Sequence, residues 1–276
     1  MKTSEEIISR EKYDIKTLCD IIALLRSEEG CPWDKEQTHS SIRRDFIEET
    51  YEAVDAIDKN DIPLLKEELG DVLLQIVFHA QIEREVGNFT FDDVVHDICR
   101  KLIYRHPHVF GNAVVENGND VIKNWDALKK KEKSDRATVT DELKAVPTSL
   151  PALIKAQKIG KKAGKAGFDF KDANDAFLKI TEEVEEVRAE LDRDTIDNEK
   201  LSEEIGDLLL ATTNLARFTH VDCEDALNSA CNKFISRFEG VEKEIISIGK
   251  CVQNMSETEL TSLWDAEKSK KVEKMP

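Results

Sequence analysis

Apolar residues recur at helical spacing over most of this chain. Between positions 14 and 26 they fall at Ile15, Leu18, Ile21, Ile22 and Leu25, the three-and-four rhythm of an amphipathic helix. Gly30-Cys31-Pro32-Trp33-Asp34 interrupts it and predicts a turn feeding a second helix near Ser40. Helices are predicted over 42–58 and 64–85, separated by Asn60-Asp61-Ile62-Pro63. Within the second of these, 72–78 is apolar on nearly every face, as is 208–211 in the other half of the chain. Helices of that kind are buried ones. Few aromatics, six prolines and long runs of helix formers complete an all-α prediction.

Against this pattern stand two acidic signatures of one form. Glu48-Glu49-x-x-Glu52 is followed by Glu68-x-x-Asp71, and Glu182-Glu183-x-x-Glu186 by Glu204-x-x-Asp207. At spacings of three and four, each set projects its carboxylates from one helix face. Like charges about 4 Å apart repel by roughly 1 kcal/mol in water and by several times that near a protein surface. Four such groups converging from neighbouring helices need protons or cations to neutralise them. Magnesium, a hard ion that takes oxygen ligands and completes its shell with water and phosphate, suits them. Taken singly, either run also reads as a solvated helix face. Gly70 and Gly206 precede the two aspartates, and their cost of about 1 kcal/mol in a helix predicts close helix approach there.

The repeat extends further. Glu49 and Glu52 recur as Glu183 and Glu186, Glu68 and Asp71 as Glu204 and Asp207, and Lys101-x-x-x-Arg105 as Lys233-x-x-x-Arg237. Trp125-Asp126-Ala127 recurs as Trp264-Asp265-Ala266, each with lysines behind it. The chain therefore reads as two copies of one unit carrying acidic, basic and aromatic elements in the same order. The charged run 129–136 and the prolines at 147 and 151 mark a junction. The domains are read as 1–136 and 151–276 with a linker at 137–150, and the end is expected to fray from Lys268.

Composition narrows the function classes. A formal charge of −17 over 276 residues argues against nucleic acid or an anionic membrane as partner. The six cysteines show no metal-ligand spacing and read as mostly buried free thiols in a reducing cytoplasm. No signal peptide is legible at the start, and the apolar stretch 72–80 is too short to span a bilayer.

Other motifs are set aside for stated reasons. The run Gly160-Lys-Lys-Ala-Gly-Lys-Ala-Gly167 misses the phosphate-loop pattern, because Ala166 stands where Ser or Thr must bind magnesium; it reads as a helix end with turn glycines. The single Glu-x-x-His match, Glu36-x-x-His39, lies outside the acidic clusters and does not make a di-iron bundle.

Cys31-Pro-Trp-Asp-Lys-Glu-Gln-Thr38, Glu48-Glu-Thr-Tyr-Glu52, Glu68-Leu-Gly-Asp71, Arg105-His-Pro-His-Val-Phe110 and the paired motifs of the second half together resemble the MazG family of nucleoside triphosphate pyrophosphohydrolases, in its long two-domain bacterial form. The resemblance covers nearly the whole chain. It implies two tandem helical bundles in a usually dimeric enzyme that uses Mg2+ to cleave nucleoside triphosphates to monophosphate and pyrophosphate. Carried over by motif, Glu183, Glu186, Glu204 and Asp207 would bind metal, with Glu49, Glu52, Glu68 and Asp71 equivalent in the first half. Glu182, with Glu183, would serve catalysis by orienting or deprotonating water. Lys179, Lys200, Glu203, Lys233, Arg237, Trp264 and Lys268, with Lys101, Arg105 and Trp125 in the first half, would contact the nucleotide.

The halves differ where a phosphate ligand is wanted. Lys179 lies four residues before Glu183, and the matching first-half residue is Asp45; Lys200 corresponds to Leu64. The second half is thus expected to be the main catalytic site. A non-catalytic helical nucleotide sensor shares the acidic face and differs in lacking turnover, whereas a purely structural scaffold would show no response to magnesium.

Overall fold

A computed structural model describes residues 3–115 and 138–272, with 117, 118, 120, 121, 124, 125, 127 and 128 between them. Among the described residues every regular element is helical. Two compact units divide the chain, Met1–Lys133 and Ser134–Pro276. Asp126 and the charged run 129–136 lie outside the described residues.

In the first unit the helices are α1 (Ser4–Ile8), α2 (Ile15–Leu25), α3 (Pro32–Glu36), α4 (Arg43–Asp58), α5 (Ile62–Val86), α6 (Phe91–Arg105) and α7 (Pro107–Phe110). Asp14 caps α2, its carboxylate accepting from the Thr17 backbone N–H at 2.8 Å. Asn60, with φ of 53°, turns the chain after α4, and Asp61 caps α5 with Pro63 in its first turn, where a missing N–H costs nothing. A three-residue turn therefore folds α4 back along α5, which is the principal packing of this unit, with α2 and α6 also against α5. Ile22, Ile42, Val77 and Phe78 form the core there.

The second unit contains α8 (Val139–Lys144), α9 (Ala152–Lys165), α10 (Ala173–Leu191), α11 (Asn198–Phe218), α12 (Cys223–Ser247) and α13 (Glu257–Val272). Part of the segment read as a linker is thus the helix α8, which packs on α9. The hairpin of α10 and α11 repeats that of α4 and α5, with Asp197 as the cap of its second helix. Helix α13 runs to Val272, past the point at which fraying was expected.

Four expectations need correction. Helix α9 does end within the 160–167 run, but of its glycines only Gly167, with φ of +94°, makes a turn, and Gly160 and Gly164 lie in the last two turns of the helix. A Cβ at Gly160 would meet Asn214 Oδ1 at 2.7 Å and one at Gly164 would strike Asp169, so these two glycines let α9 lie close to its neighbours. By contrast, a Cβ at Gly70 or Gly206 would meet nothing within 4 Å; close approach within the chain does not explain them. The all-apolar stretches are also not fully covered, since Leu209 and Leu210 are 52% and 41% exposed. Of the cysteines, only Cys223 is buried, and Cys99, Cys231 and Cys251 are exposed, on faces that no described element covers.

Candidate metal and phosphate site

The α10–α11 hairpin brings Glu183, Glu204 and Asp207 together, with one carboxylate oxygen of each within 4.8 Å of the others. Glu183 is 3% exposed. Its Oε1 accepts from Lys179 Nζ at 2.7 Å, and its Oε2 is buried without a partner. Leaving a buried carboxylate oxygen unpaired costs more than leaving out the bond altogether. Glu186, one helical turn away and exposed, has its carboxyl raised above the usual range by its contact with Glu183, then by desolvation and by the charges of Glu183 and Glu204, with Lys179 opposing. Lys179 also donates to Glu182 Oε1 at 2.8 Å, and its ammonium is held strongly protonated by Glu182 and Glu183. An all-oxygen set converging on an orphaned, buried acceptor fits a hard divalent cation.

The first unit repeats the arrangement with one sign changed. Glu49, Glu68 and Asp71 also place oxygens within 4.8 Å of one another, and Glu68 is buried. Desolvation, followed by Asp71, Glu52, Glu68 and Asp45, raises the Glu49 carboxyl. Glu68 is raised by desolvation, by the charges of Glu52, Asp71 and Glu67, and by a hydrogen bond with Glu52. Where Lys179 relieves the second cluster, Asp45 adds further negative charge to the first.

The proposed nucleotide contacts fall into two groups. Lys200 and Glu203 are exposed on the first turns of α11, on the hairpin itself. Lys233 and Arg237 lie on α12, whose main packing is against α9 and α13 rather than against the acidic hairpin. Lys233 is exposed, and Arg237 keeps a buried Nε without a partner. Trp264 rests on Phe234 with ring centroids 5.0 Å apart, and Lys268 donates to Asp265 at 3.3 Å. In the first unit Arg105 lies over Trp125 at 5.4 Å, His106 meets the same indole edge-on at 4.9 Å, and Lys101 is exposed. Each tryptophan is thus brought to the helix that carries its Lys-x-x-x-Arg pair.

Sequence reasoning missed two features. In the first unit, Arg26 forms a two-pronged bridge to Glu85 at 2.8 and 2.9 Å. In the second, Arg217 bridges Asp169. The other feature is a hydrogen-bonded row, His79, His39, Glu83 and Asn88, beside the first hairpin. Partners 40 or more residues apart leave no local pattern to find.

Comparison with known proteins bears on the same residues. A family model described as the MazG nucleotide pyrophosphohydrolase domain matches residues 37–110 and again 171–241, and each match contains one acidic hairpin. The chain is 41% identical to the nucleoside triphosphate pyrophosphohydrolase/pyrophosphatase MazG of Thermotoga maritima over 251 residues, 91% of this chain and 94% of that protein. It is also 41% identical to a nucleoside triphosphate pyrophosphohydrolase of Escherichia coli K12 over 260 residues, 94% of this chain and 98% of that one. A Bacillus subtilis protein named YabN and described as uncharacterized is 43% identical over 256 residues, which is 93% of this chain and 52% of YabN. With both acidic hairpins inside the matched segments, and the likeness running nearly end to end, this chain belongs to the MazG family.

Proposed function

We propose that the chain is a Mg2+-dependent nucleoside triphosphate pyrophosphohydrolase. Water attacks the α-phosphorus, the bond from that phosphorus to the bridging oxygen of the β-phosphate breaks, and nucleoside monophosphate and pyrophosphate leave. The observation that carries this reading is the convergence of Glu183, Glu204 and Asp207 around an orphaned carboxylate oxygen, on a hairpin that the chain builds twice.

Glu183, Glu186, Glu204 and Asp207 would hold magnesium, as would Glu49, Glu52, Glu68 and Asp71 in the first unit. When bound, the ion offsets phosphate charge and makes a coordinated water more acidic. Glu182 would orient the attacking water or take its proton. Lys179 is placed to exchange its bonds with Glu182 and Glu183 for phosphate oxygens, and the unpartnered Nε of Arg237 suits a second phosphate contact. The second unit is the main site, because Lys179 compensates its cluster where Asp45 burdens the other.

The reading includes a homodimer. Phe177, Leu178, Leu209 and Phe234 are among the large apolar side chains more than half exposed. A second copy covering those faces would also supply cationic side chains to an acidic hairpin that packs little against its own α12. The acidic charge supports the absence of a nucleic-acid partner, and six free thiols suit the reducing cytoplasm. Among the described residues no helix is long and apolar enough to cross a membrane.

The test is release of pyrophosphate against orthophosphate from a panel of nucleoside triphosphates, with Mg2+ and with chelator. Mg2+-dependent pyrophosphate release supports the reading; orthophosphate release, or binding without turnover, overturns it.

A further inference from the structure

The row formed by His79, His39, Glu83 and Asn88 stands apart from the acidic cluster, and its central contact joins two imidazoles. His39 Nδ1 and His79 Nδ1 are 2.7 Å apart, while the ring centroids are 5.0 Å apart and the ring planes differ by 8°. Nitrogens so close between centroids so far apart mean that the rings meet edge to edge, each aiming one nitrogen at the other, rather than overlapping face to face. A contact of this length is a hydrogen bond, and it holds one hydrogen. Two hydrogens would collide across it, and two lone pairs would repel.

The hydrogen count limits the charge that the pair can carry. At the far side of its ring, His39 Nε2 lies 2.5 Å from Glu83 Oε1, and Glu83 also accepts from Asn88 Nδ2 at 2.5 Å. Hydrogen bonds from Asn88 and His39 hold the Glu83 carboxyl below the usual range. The carboxylate accepts only, so His39 Nε2 carries a hydrogen. With both rings neutral, the shared hydrogen is that of His79. With one positive charge, the hydrogen lies between two rings whose outer nitrogens are both N–H, and Glu83 balances that charge. Zero or one charge is therefore compatible with the contact, and two are not.

The surroundings oppose the second charge. Arg43 and Phe46 of α4, Ile76 and Ala80 of α5, Phe89 and Val94 of α6 line the same hollow as the two rings, so the charged groups beside the pair are Glu83 and Arg43, one of each sign. Phe46 packs on His79 with centroids 5.5 Å apart. Burial, and then the neighbouring His39, push the His79 imidazole below its ordinary value. The contact also has a place in the fold. His39 lies between α3 and α4, and His79 lies on α5, so the pair ties the entry of α4 to α5. Phe46 precedes Glu49 by three residues, about 4.5 Å of helix rise.

We propose that the His39–His79 pair is a proton-sensitive latch, which fastens the entry of α4 to α5 and lets go when both imidazoles become cationic. Apart, each ring takes a proton near its ordinary value of about 6.5; together they take only one. The released form thus binds one proton more. Closure is fully favoured above about pH 6.5 and loses about tenfold in its equilibrium for each pH unit below it, down to the lower value of the closed pair.

The test is an NMR titration of the histidine ring nitrogens in the full chain, with the exposed His96 and His220 as references, beside amide hydrogen exchange of segment 39–46. Two reporters there are the Ile42 N–H, bonded to Thr38 O at 3.3 Å, and the Phe46 N–H, bonded to Ile42 O at 3.1 Å. His39 and His79 are expected to titrate in two steps more than about one pH unit apart. Corrected for intrinsic rates, protection of Ile42 and Phe46 should fall by about tenfold from pH 7.5 to pH 5.5. Glu83→Gln, which removes the balancing charge, should move the first step to lower pH. His79→Phe should remove the acid response of the two amides. Two rings that each titrate in one step beside the references, or protection that does not change with pH in the unaltered chain, overturn the proposal. So does an acid response that persists in His79→Phe, or a first step that stays in place in Glu83→Gln.

Discussion

Arg26 and Glu85, 59 residues apart, are joined through both prongs of the guanidinium, and in the second unit Arg217 and Asp169 are joined in the same way with the signs exchanged along the chain. In each unit the bridge ties the helix carrying the Glu-x-x-Asp pair, near its C-terminal end, to the region just after an earlier helix. Arg26 does more. It donates to the backbone oxygens of Asp34 at 2.7 Å and Gln37 at 3.0 Å and lies over Phe78 at 5.1 Å, so it fastens the Cys31-Pro-Trp-Asp segment to the core.

Removal of that side chain should therefore destabilise the first unit strongly. The Arg26 side chain is 5% exposed, and truncation strands a carboxylate and two carbonyls. Arg26→Ala is expected to cost about 3 to 5 kcal/mol, read as a lower urea midpoint for the transition of the first unit. A loss below about 1 kcal/mol would show that water replaces the bridge without penalty.

Acid should act through the same bridges. Burial alone would raise the Glu85 carboxyl, but hydrogen bonds from Arg26 and Gln81 and the Arg26 charge bring it below the usual range. Asp169 is lowered by its bond with Arg217. A carboxyl lowered on folding stabilises fully above its unfolded value, about pH 4, and loses that contribution as pH falls through the lower folded value. Arg217→Gln should thus begin to unfold at higher pH than the unaltered chain in an acid titration followed by circular dichroism. Coincident titrations would contradict the assignment.

Glycine substitutions should separate two roles that look alike in sequence. Gly160→Ala sets a methyl against Asn214 and is expected to lower thermal stability, since α9 must shift or Asn214 must move. Gly206→Ala meets nothing within 4 Å and should add up to about 1 kcal/mol of helix propensity to the separated chain, while disturbing whatever approaches Gly206 from outside it. Thermal melts at low protein concentration, beside sedimentation, report both effects.

Lys179 holds the second cluster together when no cation is present. With Lys179→Met, the buried Glu183 loses its partner and the carboxylates repel without relief. The melting temperature in chelator should fall, and Mg2+ should restore more of it in the variant than in the unaltered chain. An equal response to Mg2+ in both would mean that the ammonium does not share this site with the cation.

Much of this was legible because it is local. The 3.6-residue period and the interruptions at Gly30–Asp34 and Asn60–Pro63 placed the principal helices of the first half, and acids three and four residues apart declared their common face. Repetition of the acidic hairpin then told a site from a solvated surface. What stayed hidden depends on distant partners: nothing near Arg26 announces Glu85, and nothing near His39 announces His79. The glycines show why local reading misleads, since the cost of a helical glycine is visible in sequence but the atom that would meet its Cβ is not. Leu209 and Leu210 were read as buried from their apolar run, and their exposure reflects a face that no described element of the single chain covers.

Pyrophosphate release from ATP by the intact chain with Mg2+, measured for Glu183→Gln beside Glu49→Gln, is the most direct measurement. Loss of one carboxylate from the cluster that Lys179 serves should lower turnover by roughly a hundredfold or more, while the same change in the first cluster should spare most of it. Abolition of turnover by Glu49→Gln with Glu183→Gln still active would place the chemistry in the first unit and contradict the assignment made here.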